Sequence, residues 1–335
     1  MLYAGKRSEL RMTARLLAFI GAFCAMAAAA VVGAPPAGAT FPGQNGLIAF
    51  SQGDMFPGGG ALVPGGGPSR HSQIYTISPS GGAPTQLTHL PSKRAAAAPA
   101  WSPDGKRLVY ESNQSGEFRI WVMNANGSGQ SQVTHEKQRF EDFLPSFSPS
   151  GKRIVYSRCG EFAGSIASCD LDTISLDGSG RRTLLSAGHW TNVRAEYSPD
   201  GRQVVFQSDR GGYISAVWTM RADGSHVRRL TPPIMEAFWP NFAPNGRRVV
   251  FSDNFDRPAT NTWTVRASGG DLRQLTHVHG GGPGGGFSSY SPNGTRIVSI
   301  CPKKCLSTMN ADGSHPKRVA TGIPFTFLPD WGAAP

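Results

Sequence analysis

The side chains of this 335-residue chain that could do chemistry are histidines, carboxylates and cysteines, and several recur at matched positions. His89, His135 and His277 each close a Leu-Thr-His or Val-Thr-His tripeptide, and His189 and His279 stand in turn-rich stretches. Together with Glu136, Asp142 and Glu236, they supply the ligand types of a divalent-metal site. His277 and His279 would share a face if a strand runs that far, but no third ligand stands beside them. A structural repeat explains the Thr-His endings better, and it would keep the imidazoles at separate positions. No Gly-x-Ser-x-Gly elbow is present, and the adjacent pair Glu141-Asp142 has no spacing that suits acid–base work.

The cysteines point to an oxidising compartment. Lys6, Arg7, Arg11 and Arg15 precede an apolar run over 16–34, and Ala37-Gly38-Ala39 supplies a small-x-small cleavage pattern. Residues 1–39 therefore read as a secretory signal peptide, cut after Ala39. Cys24 falls inside it, with Phe23 before it, which is a poor lipoprotein processing site. Cys159, Cys169, Cys301 and Cys305 remain, an even number in an exported protein. Alignment of the repeats favours 159 with 169 and 301 with 305, each pair closing a hairpin. No Cys-x-x-Cys pair favours metal instead.

The elements that position these residues are set by one repeated stretch, Pro99-Ala100-Trp101-Ser102-Pro103-Asp104-Gly105-Lys106-Arg107-Leu108-Val109-Tyr110. It returns at Pro145–Tyr156, Ala195–Phe206, Pro240–Phe251 and Ser288–Ser299, and its aromatics lie 45 to 50 residues apart. Each copy reads strand, tight turn, strand. Proline presets φ, Asp, Asn or Ser bonds its own backbone, and glycine takes the positive-φ position. Asp-Gly or related turns such as Asp177-Gly178, Asp223-Gly224 and Asp312-Gly313 mark a second hairpin in each unit. The spacing is that of a four-stranded propeller blade. At the N-terminus the strands over 47–51, 73–78 and 85–88 have no first strand, and Leu328-Pro329-Asp330-Trp331 is a first strand without a blade. Joining them predicts an all-β, six-bladed propeller over 40–335, closed by its C-terminal strand, with no exposed sheet edge.

The Trp-Ser-Pro-Asp-Gly-Lys cassette, strands such as Arg119–Asn124 and endings such as Gln86-Leu87-Thr88 resemble the TolB-type six-bladed β-propeller repeat, over about residues 41–332. The resemblance implies fold more than function, since similar propellers occur in binding proteins, peptidases and polysaccharide lyases. The separate α/β domain that TolB proteins carry ahead of the propeller has no counterpart expected here.

A blade of this kind places its two hairpin turns on one face and its other loops on the opposite face. Of the net charge of +11, about +8 remains after residues 1–39 with their four basic and one acidic side chains are removed. This excess is expected to collect as a basic ring on the turn face, with Lys106, Lys152, Arg181, Arg182, Arg202, Arg228, Arg229 and Arg247 as members. Such a ring suits anionic partners, a cell-wall polymer or an acidic protein, although basic residues also merely solubilise exposed turns. Export argues against nucleic acid. The loop face receives His135, Glu136, Asp142, His189, Glu236 and His279 as a ligand or partner funnel, bordered by glycine-rich stretches over 52–72 and 279–286. The expectation is an exported, monomeric, non-enzymatic binding or scaffold propeller of the cell envelope, periplasm or exterior, without a cofactor and without a transmembrane segment after cleavage. The alternative is a metal-dependent polysaccharide lyase or hydrolase at the channel mouth.

Overall fold

The computed structural model describes residues 41–53, 71–135, 140–162, 165–212, 214–253, 260–278, 285–301, 305–320 and 326–335. All belong to one compact unit, residues 36–335. The signal-peptide reading, Glu136, His279 and most of the two glycine-rich stretches lie outside the described residues.

The described strands form six four-stranded antiparallel sheets, the blades of a ring. The first blade holds β1 (Asn45–Gly53), β2 (Ser72–Ile77) and β3 (Thr85–Gln86). The second runs β4 (Ala96–Trp101), β5 (Arg107–Ser112), β6 (Arg119–Asn124) and β7 (Ser131–Gln132). The third is β8 (Phe140–Phe147), β9 (Arg153–Phe162), β10 (Ser165–Ser175) and β11 (Arg182–Leu185). The fourth is β12 (Asn192–Tyr197), β13 (Gln203–Ser208), β14 (Ala216–Arg221) and β15 (Arg228–Arg229). The fifth is β16 (Ala237–Phe242), β17 (Arg248–Asp253), β18 (Thr262–Arg266) and β19 (Arg273–Gln274). The sixth is β20 (Ser289–Tyr290), β21 (Arg296–Cys301), β22 (Cys305–Asn310) and β23 (Lys317–Ala320). The last strand, β24 (Thr326–Ala333), pairs with β1 as the inner strand of the first blade. Closure by the C-terminal strand is thus as the repeat count predicts. No described helix is long and apolar enough to cross a membrane.

Second strands read as continuous apolar triplets because each sheet is covered on both faces by neighbouring blades. Val204, Val205 and Phe206 are all fully buried, yet Val205 packs into the core shared with the fifth blade while Val204 and Phe206 face the core on the other side. Val250 likewise parts from Val249 and Phe251. The period of two along a strand therefore builds two separate seams from one triplet.

The turns are built as their residues dictate. In the first, the Ser102 hydroxyl donates to Asp104 Oδ1 at 2.6 Å and accepts the Arg107 N–H at 2.9 Å, and Gly105 takes φ +66°. Cys159 bonds Cys169 and Cys301 bonds Cys305. Both pairs are directly opposed in register across a hairpin, β9 to β10 and β21 to β22.

Candidate functional site

The inner strands carry an irregularity that sequence patterning does not reveal. Leu328, Ala98, Leu144, Arg194 and Trp239 are left-handed, with φ between 50° and 56°, and each sits at or beside a register shift in its strand pair. Phe287, just ahead of β20, shares the conformation at φ 60°. A non-glycine residue there costs roughly 1–2 kcal/mol, so something must hold it. In four blades the next residue is proline, Pro99, Pro145, Pro240 or Pro329, which suits a bulge position that needs no ladder donor.

For Ala98, Leu144 and Trp239 the holding is done across blade seams. The N–H of Ala98 donates to Ser51 Oγ at 3.0 Å, that of Leu144 to Glu111 Oε2 at 2.7 Å, and that of Trp239 to Gln207 Oε1 at 3.3 Å. Each acceptor stands on the second strand of the preceding blade. A second set of latches lies toward the hairpin turns. The Trp101 N–H donates to Asp330 Oδ2 at 2.8 Å, the Phe242 N–H to Glu196 Oε1 at 3.0 Å, and the Tyr290 N–H to Asn241 Oδ1 at 3.0 Å. Asn241 Nδ2 also donates to Glu196 Oε2 at 2.7 Å, and Ser289 Oγ to Asp330 Oδ1 at 3.1 Å. The result is a polar belt of Glu196, Asn241, Ser289 and Asp330, running from the fourth blade through the fifth and sixth to the first.

Arg194 sits at the base of this belt. Its guanidinium interacts electrostatically with Glu111, Glu196 and Asp330, carboxylates of three different blades, and lies 5.7 Å from the Trp239 ring centroid. Burial lowers its pKa to about 10, against the pull of those three carboxylates. Burial also raises Glu196 to about 8, opposed by the Phe242 N–H and reinforced by the neighbouring Asp330 charge. It raises Glu111 to about 7, opposed by the Leu144 N–H, and pushes Asp330 upward, opposed by its bonds from Trp101 and Ser289. Arg194, Glu196 and Asp330 keep part of their surface open because they line a cavity of about 70 Å³. That is room for a few waters or one side chain. Phe41, Ala100 and Ser146 complete its wall, the last two being the small residues where other blades carry belt groups.

The other half of the channel is apolar. Phe118 and Phe143 meet at 5.4 Å between ring centroids, Trp239 and Phe287 at 4.1 Å, and Val193 and Leu328 pack with them. The polar chemistry therefore lies toward the hairpin-turn end, and the loop end is filled with aromatic side chains.

Of the sequence-predicted funnel residues, Glu136 and His279 lie outside the described residues, and the other four stand at separate places. Asp142 is buried, 3.9 Å from the Arg158 guanidinium, rather than at a channel mouth. His135 is exposed beside the outer turn of the next blade, where a Cβ on Gly178 would lie 3.7 Å from its Cδ2. His189 is exposed and packs at a tilt against Trp190, with ring centroids 4.3 Å apart, and Glu236 is half-buried just before β16. Among the described residues no three His, Cys, Asp or Glu side chains are grouped to hold a metal. Of the basic ring, Lys106, Lys152, Arg182, Arg202 and Arg247 are exposed. Arg181 bonds the fully buried Asp172 at 2.8 Å, and Arg229 bonds the Pro232 and Pro233 carbonyls. Arg228 reaches the Ala267 and Ser268 carbonyls of the next blade. The belt itself escapes patterning, although one signal exists. The position before each cassette aromatic reads Ala100, Ser146, Glu196, Asn241, Ser289 and Asp330, polar in most blades where an inner strand should be apolar.

Comparison with known proteins agrees with the architecture. Residues 33–177 match the family described as the TolB beta propeller domain. An uncharacterized protein of Agrobacterium fabrum is 38% identical over 72 residues, which is 22% of this chain and 24% of that protein. The solved TolB of Acinetobacter baumannii superposes with a TM-score of 0.67 at 21% identity, over 86% of this chain and 67% of that one. Hydrazine synthase of Kuenenia stuttgartiensis superposes with a TM-score of 0.69 at 14% identity, over 89% of this chain and 49% of that one. At such identities the structural likeness is one of fold.

Proposed function

Because the chain is a TolB-like six-bladed β-propeller, we propose that it is an exported, non-enzymatic binding protein that receives a protein partner of the cell envelope at its central channel. The observation that carries this reading is the belt around the cavity. Glu196, Asn241 and Asp330 are fixed by backbone donors of neighbouring blades, so their orientation is set before any partner arrives. A preorganised acceptor ring loses little entropy on binding. Arg194 beneath it offers the opposite charge, which suits a peptide loop presenting both donors and acceptors. The cross-strand disulfides support residence in an oxidising compartment.

The test uses a blocked channel. Ser146 lines the cavity and contributes no latch to the belt, so Ser146→Phe fills the space while the blade seams persist. Wild-type protein should retain a saturable envelope protein on affinity capture, and the variant should lose it at unchanged thermal stability. Equal retention by both would refute channel binding. Sequencing the N-terminus of the exported protein checks cleavage after Ala39.

A further inference from the structure

A second site stands apart from the channel, in the groove between the fourth and fifth blades at the turn end. Its walls include Asp200, Arg247, Arg248, Arg266, Asp271 and Arg273, four cations against two carboxylates. Both carboxylates are committed. Asp200 Oδ1 takes the Ser198 hydroxyl at 2.6 Å and the Arg202 N–H at 3.0 Å. Asp271 Oδ2 accepts Arg248 Nη1 at 2.7 Å and lies 3.3 Å from Arg266 Nε, while its Oδ1 accepts Arg273 Nε at 2.8 Å.

The atoms used decide what is left over. Arg266 and Arg273 approach Asp271 through Nε, and among the described residues no hydrogen bond is made by their Nη atoms. Their side chains are 59% and 62% exposed. Arg247 is exposed, and among the described residues its side chain has no hydrogen-bond or ion-pair partner. One carboxylate thus orients three guanidiniums without neutralising them, and Arg247 adds a fourth cation.

We propose that this groove binds a phosphate-bearing anionic polymer, with Arg247, Arg266 and Arg273 as direct donors and Asp271 as the residue that positions them. Donors converging from separate elements match a tetrahedral oxyanion, whose acceptor oxygens point in more than one plane, better than a carboxylate, whose two oxygens lie in a single plane. Asp200, Arg247, Arg266 and Arg273 along the groove are all exposed, so a chain of such groups can reach it from solvent. The site shares no residue with the channel belt and does not depend on the channel reading.

Inorganic polyphosphate is the probe, with poly-L-glutamate as the carboxylate-only comparison, titrated at about 0.1 M salt, where charges are screened over about 10 Å. Wild-type protein should bind polyphosphate more tightly than polyglutamate. The double variant Arg247→Ser/Arg273→Ser should weaken polyphosphate binding about tenfold, the loss of charge-assisted bonds from two forks. Lys317→Ser/Arg318→Ser removes the same charge from exposed positions of the sixth blade and should have a clearly smaller effect. Asp271→Asn adds positive charge overall, yet should weaken binding because the forks lose their anchor. Equal losses in the two double variants, equal affinity for polyglutamate, or no polyphosphate binding at all would each overturn the site. Tighter binding by Asp271→Asn would overturn the positioning role. Melting curves confirm that each variant is folded.

Discussion

Glu111 Oε2 accepts the backbone N–H of Leu144 at 2.7 Å, across the seam between the second and third blades. The bond holds a left-handed residue in place and puts a buried carboxylate in the field of Arg194. Glu111→Ala should therefore destabilise the fold by about 2–3 kcal/mol, the cost of an orphaned buried donor together with a cation that loses a partner. Glu111→Gln keeps an acceptor for Leu144 and should lose much less. Urea unfolding of the two variants separates these outcomes.

The pH dependence follows from the same groups. Burial raises Glu111 to about 7 and Glu196 to about 8 in the folded protein, while an unfolded glutamate titrates near about 4.3. Between those values the unfolded chain gives up its proton first, so stability falls as pH rises through this window and levels off above it. The turn aspartates act in the opposite sense. Hydrogen bonds from Ser179, Ser225 and Ser314 hold Asp177, Asp223 and Asp312 below the usual range, so their contribution is lost as pH falls through it. Thermal melting should show a maximum on the acidic side of neutrality. Glu196→Gln should flatten the slope on its alkaline side.

Arg194 is the counter-ion of the belt. Arg194→Met would leave Glu111, Glu196 and Asp330 facing one another without it. The variant should be destabilised strongly at pH 8, where the carboxylates are driven toward ionisation, and much less at pH 5, where Glu111 and Glu196 hold protons. A loss that is equal at the two pH values would show that Arg194 matters only for packing.

The closing strand gives a third kind of test. Trp331 is buried, and its indole N–H reaches the Gly46 carbonyl at 3.2 Å, while Asp330 latches Trp101. Deleting residues 326–335 removes these contacts and leaves β1 as an open sheet edge. The truncated chain should aggregate during refolding and be cut rapidly by protease, as exposed edges recruit other strands. Adding the 326–335 peptide in trans should partly restore solubility.

Much of this molecule is legible in one dimension because its information is local. Ser102-Pro103-Asp104-Gly105 makes its turn from its own φ preferences and hydroxyl bonds, and the triplet Leu108-Val109-Tyr110 is apolar throughout because both sheet faces are covered. Repetition of such a unit sets the number of blades. The missing first strand at one end and the spare strand around Asp330-Trp331 at the other require closure. Cysteines flanking a hairpin turn face each other because antiparallel register puts them there.

The site follows a different logic. Glu111, the pair Arg194 and Glu196 on one strand, and Asp330 lie far apart along the chain and meet only because blades converge on an axis, so no spacing rule links the three places. His135 and Asp142 are close in sequence, yet one lies beside an outer turn and the other in a buried ion pair, since His135 follows the outer strand β7 of the second blade and Asp142 stands on the inner strand β8 of the third. Turn chemistry and periodicity act over a few residues and are written in the sequence. The electrostatics of the channel depend on distances between blades, and those exist only once the ring has closed.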